Sequence, residues 1–145
     1  MWPNLKPSQR AAIVGSIDPQ SATTAKSTGW IDASQFQNFM ALIAIGAITS
    51  TGTDDAKIQQ AQDSSGTGAK DITGKAITQV TAGSVQTLIN VKQDDLDVNG
   101  GFGFIRLTVT PATAASLIAA VVLGFDPRYS PADGYAAATQ TQIVG

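Results

Sequence analysis

The residues best suited to chemistry are the six from Asp95 to Gly100, reading Asp-Leu-Asp-Val-Asn-Gly. Oxygen-bearing side chains at alternate positions, Asp95, Asp97 and Asn99, can converge on one calcium ion, and glycine at the sixth position permits the sharp turn. The second half of such a loop is missing. Its twelfth position is Arg106, where a bidentate glutamate is needed, and the flanking residues alternate like strands instead of helices. A hairpin loop whose Asp and Asn side chains bond their own backbone accounts for the same residues. Asp95, Asp97 and Asn99 therefore form a metal site in outline only, and no metal or other cofactor is expected.

Two glycine-rich stretches are weaker still. Gly66-Thr67-Gly68-Ala69-Lys70 lacks the Gly-Lys-Ser/Thr ending of a phosphate loop and no clear helix follows it, so it reads as a flexible turn. Gly100-Gly101-Phe102-Gly103 reads as a tight turn or bulge, not a dinucleotide fingerprint. The carboxylate pairs Asp54-Asp55 and Asp94-Asp95 are adjacent in turn contexts, where neighbouring side chains of extended chain point apart. The chain has no histidine, no cysteine and no glutamate. The commonest general base and every His-dependent triad are thereby removed, along with disulfides and thiolate metal sites. No spacing recommends a Ser–Lys or Thr nucleophile, and no enzymatic activity is expected.

Any such residues would be positioned by strands. The 145 residues suit one domain, and the dominance of Thr, Ala, Val, Ile and Gly leans towards strands and turns. The most apolar stretch, Phe102 to Tyr129, holds two β-branched runs joined by Pro111-Ala112-Thr113, and is expected to be the central hairpin of a sheet. In its first half Ile105, Leu107 and Val109 share one face, and Phe102, Phe104, Arg106 and Thr108 the other. Arg106 beside two aromatics marks either an interface or a side chain snorkelling over its own sheet. Phe39 to Ile48 is apolar on both alternating faces and is expected to be a strand covered on both sides. Further strands are expected over Ala11 to Ile17, ended by Asp18-Pro19, at Ala56 to Gln62, where a short helix is the competing reading, and at Ala76 to Val80 and Val85 to Lys92. Leu117 to Phe125 fits both helical and strand spacing, and its β-branched centre and Gly124 favour a strand. Asp32 is expected to cap one helical turn.

The formal charge is −2 and only 14% of residues are charged, which offers no basic field for nucleic acid. Low charge with many small polar side chains fits a surface that meets protein, and equally an ordinary soluble domain. Met1 to Lys6 does not read as a secretory leader, and the apolar runs fall short of the roughly 20 residues of a spanning helix. Synthesis in a cytoplasm and no membrane contact are expected.

The order of segments resembles that of small structural proteins of tailed bacteriophages and prophages. Gly29-Trp30-Ile31-Asp32, Gln35-Phe36 and the apolar strand ending in Gly46 carry the likeness, followed by Ala56 to Ala61, Gly68 to Gln79 and Asp95 to Val98. Phe104 to Thr110 and Pro127-Arg128-Tyr129 complete it, so that it spans about Ala11 to Pro131. The resemblance implies a virion component of the head region, a decoration or cement protein on the capsid surface. Its partners would be the major capsid protein and copies of itself. Alternatives are a head–tail connector or tail or fibre component, and, in a different class, a calcium- or carbohydrate-binding β-sandwich module.

The expected architecture is all-β: one β-sandwich or jelly-roll-like domain over residues 11–129, an extended N-terminal arm over 1–10 and a C-terminal tail over 130–145. Contacts to partners are expected from Trp2 in the arm, from Arg106, and from Arg128, Tyr129 and Tyr135 around the tail.

Overall fold

The computed structural model describes residues 4–145, so Trp2 lies outside the described residues. A four-residue helix, α1 (Pro7–Arg10), leads into nine strands: β1 (Ala11–Ala22), β2 (Lys26–Ser27), β3 (Ile31–Asp32), β4 (Phe36–Ile48), β5 (Thr53–Ala61), β6 (Lys70–Ala76), β7 (Val85–Lys92), β8 (Phe104–Ala112) and β9 (Ser116–Pro127). The fold is an all-β sandwich of two antiparallel sheets. One has four strands in the order β1-β9-β4-β7; the other runs β2-β8-β5-β6, with β3 also paired to β8.

The core follows from period-2 alternation. Phe39, Ala41, Ile43 and Ile45 of β4 and Ile118, Ala120 and Val122 of β9 face inward from the four-stranded sheet. They meet Ala56 and Ile58 of β5 and Ile105, Leu107 and Val109 of β8, all buried in one cluster. Each Val, Leu, Ile or Phe among them contributes about 1.5–3 kcal/mol on leaving water. Asp32 caps a 3-10 turn over Ala33–Gln35, its Oδ1 accepting the Ser34 N–H at 2.9 Å, as the sequence indicates.

Four expectations need correction. Phe102 to Tyr129 is not a hairpin: β8 is central in one sheet and β9 in the other, joined by an arch through Thr113 at φ 70°. Both runs are apolar because each strand has sheet neighbours on both edges and a core beneath it, a composition that does not distinguish pairing from crossing over. β1 does not stop at Asp18-Pro19. It continues to Ala22 through register shifts at Ile13/Gly15 and Ile17/Gln20, and proline is tolerated because β1 is an edge strand and Pro19 falls at a bulge. The strand expected over Ala76 to Val80 lies earlier, at Lys70–Ala76. Beyond it only single bonds persist, Ile77 N–H to the Ala56 carbonyl at 2.9 Å and the Asp54–Val80 bridge. Finally, β4 is covered on one side only: Met40, Leu42 and Ala44 remain half-exposed.

The described parts of both terminal segments touch the sandwich: α1 packs against β1 and β9. Ala132 is fully buried within a 3-10 turn over Ala132–Tyr135, and the Ala137 N–H reaches the Ile13 carbonyl at 2.8 Å. Residues 136–145 form no helix or strand.

Candidate functional site

The Asp95–Gly100 segment is built as a turn. The Asp95 carboxylate accepts the Lys92 backbone N–H at 2.8 Å and lies 3.2 Å from Lys75 Nζ. Asp97 Oδ1 accepts the Gly100 N–H at 2.9 Å, and its Oδ2 accepts Lys70 Nζ at 2.7 Å. These contacts hold both carboxyls below the usual range, chiefly the Lys92 N–H for Asp95 and the Lys70 ammonium for Asp97. The two aspartates are thus tied to separate lysines of β6, and Asn99 is exposed. Among the described residues no group of three or more carboxylates gathers as a cation would require.

Arg106 projects from the outer face of the five-stranded sheet. Its guanidinium carbon lies 4.5 Å from the centre of the Trp30 ring, and its Nε donates to Gln59 Oε1 at 3.0 Å. Gly66 supports the other partner of this stack: at φ +84°, a Cβ there would come within 2.6 Å of Trp30 Nε1. The glycine-rich stretch is therefore a seat for an indole, not a phosphate loop. Phe102 lies under a different cation, Lys70, at 4.1 Å. Lys57 and Gln59 both reach Asp71, at 3.0 Å each, and lower its carboxyl, the Lys57 ammonium most. This face is a mosaic of paired charges and partly covered rings.

The remaining expected contact residues fall elsewhere. The Arg128 N–H binds the Gln35 carbonyl at 2.7 Å, its guanidinium lies 5.8 Å from the Tyr129 ring, and Tyr129 is 65% exposed. Arg128 lines a cleft of about 450 Å³ with Leu5, Gln9, Gln37 and Asp126. Tyr135 turns inward instead, edge-on to Phe36 with ring centres 5.7 Å apart. Arg128 and Tyr135 thus meet neighbouring residues, Gln35 and Phe36, while Arg106 lies apart on the other sheet.

A further surface, mainly apolar, is one the sequence conceals. On the outside of the four-stranded sheet, Leu42 stands opposite Val121 on one side and Leu88 on the other. Met40 pairs with Leu123, and Ala44 with Ala119. Leu88 is 55% and Leu117 49% exposed. The two alanines leave a hollow of about 220 Å³, bounded also by Leu42 and Val121 and, on the β1 side, by Ser16, Asp18 and Pro19. Two-sided apolarity in Phe39 to Ile48 is the signal for this surface, but in sequence it equally describes a strand buried on both faces.

No family model matches the chain, and no curated protein matches it. The chain is similar to one in the cryo-EM atomic structure of Broad Bean Stain Virus, at 10% identity and a TM-score of 0.46, with 88% of this chain and 93% of that one covered. A likeness at that level carries no argument about function.

Proposed function

We propose that this chain is a non-enzymatic structural component of a virion, of the capsid-decoration type, that binds the outer shell and copies of itself and so stabilises the particle. The observation that carries the reading is the outer face of the four-stranded sheet, a contiguous apolar surface on a rigid sandwich. Exposed apolar surfaces of this kind mark contact sites, those for protein partners among them. The segment order that resembles small phage structural proteins supplies the setting. The charged and aromatic face around Arg106 and Trp30 is the surface we assign to the major capsid protein, since Arg and aromatic side chains are favoured at protein contacts. In this reading the protein is made in the host cytoplasm and resides on the capsid surface.

The test is to purify particles from a culture that makes this chain and locate it by cryo-electron microscopy. Hundreds of copies on the outer shell support decoration. About a dozen at one vertex assign it to a connector, because copy number follows the symmetry of the site. Particles that contain none of it overturn the virion reading.

A further inference from the structure

We propose that the outer face of the four-stranded sheet is a dimer interface, and that its occupant is a second copy of this chain. The inference rests on the reading that this face meets protein, and it names which protein. Three observations favour a copy of itself.

First, one surface carries both halves of a contact. The hollow at Ala44 and Ala119 and the protruding Leu88 and Leu117 lie on the same face. An isologous two-fold contact needs that combination, since each patch must be complementary to itself. Second, charge offers a foreign partner nothing to read in the centre. Of the outward positions, none on β4 from Met40 to Gly46 or on β9 from Leu117 to Phe125 is charged; Asp18 stands at the β1 rim of the hollow and Lys92 at the opposite margin. Third, the area is sufficient. Four strands spaced about 4.8 Å apart and about eight residues long at about 3.3 Å each present a footprint near 500 Å². Two copies then bury about 1,000 Å², the size at which an interface becomes specific. Stacked sheets meet in this way in sandwiches, about 10 Å apart with interdigitating side chains. β4 and β9 would then be covered on both faces, as their composition calls for.

Purified full-length chain, without particles, is examined by sedimentation equilibrium from low micromolar to about 100 micromolar. The wild type is expected to dimerise. Leu42→Arg, at the centre of the face, weakens association by at least about tenfold, because it buries an unpaired charge. Val98→Arg, at a 66% exposed position off this face, leaves association unchanged. Should Leu42→Arg not fold, a second readout decides. The chain has no cysteine, so Leu88→Cys carries a polarity-sensitive fluorophore as its sole label, at a position that tolerates change. Its emission shifts to the blue as the dimer forms, whereas a label at Val98→Cys does not shift. A wild type that stays monomeric, a dimer indifferent to Leu42→Arg, or a silent Leu88 probe overturns the inference. Each of these outcomes leaves the particle-binding reading to its own test.

Discussion

Asp54 is fully buried, and its Oδ1 accepts the Ser116 hydroxyl at 2.7 Å, a bond from β9 across to β5 that ties the two sheets. A buried carboxyl stripped of its donor keeps the desolvation cost without the compensation. Ser116→Ala is therefore expected to destabilise the fold by about 1–3 kcal/mol in urea denaturation, with the cooperativity of the transition retained. Asp54 was visible in the sequence only by phase: it shares the period-2 face with Ala56 and Ile58, yet Asp-Asp beside Gly52 reads as a turn. Its partner, 62 residues away, leaves no local trace. Trp30 and Gly66 are a similar case. Each is ordinary alone, and the fold makes one the seat of the other.

Among the elements, β9 is held most tightly between its neighbours. At Gly124, opposite Phe39 of β4, a Cβ would come within 2.6 Å of the Phe36 ring, and Phe36 is 2% exposed. The ring is wedged between this strand and Tyr135 and has no room to retreat. Gly124→Ala is expected to cost about 1–3 kcal/mol by overpacking, read as a lowered thermal midpoint. The existence and alternation of β7 and β8 were legible, because one inward face against one outward face writes a period of two, whereas the run that forms β9 is apolar on both faces and fits helical spacing as well. Which strands pair was not legible. β8 and β9 are separated by three residues and lie in different sheets, an outcome set by the arch at Thr113 and by partners far along the chain.

For the molecule as a whole, acid weakens a set of paired carboxyls. Asp71, Asp95 and Asp97 bind Lys57, Lys75 and Lys70 and join β6 to β5 and to the loop before β8. Their carboxyls are held below the unfolded value of 3.8. A depressed carboxyl binds fewer protons folded than unfolded, so its stabilisation is complete above the unfolded value and is lost as pH falls through the folded one. The denaturation midpoint is expected to hold from neutrality to about pH 5 and to fall below about pH 4. Asp97→Asn makes that fall shallower. Lys57–Asp71 and Lys70–Asp97 are exposed and Lys75–Asp95 only partly covered, so the effect is modest and is screened by salt.

By itself the sequence determined the class of the protein: an all-β sandwich, its inward faces, the cap at Asp32 and the incomplete calcium motif. These are local properties, written in side-chain alternation and turn chemistry. Only the tertiary structure decided that Asp95 and Asp97 serve as lysine-bound turn residues, that Arg106 lies on Trp30, and that β4 shows solvent an apolar face. Those outcomes depend on which distant residues the two sheets bring together, and a chain read in order does not carry that information.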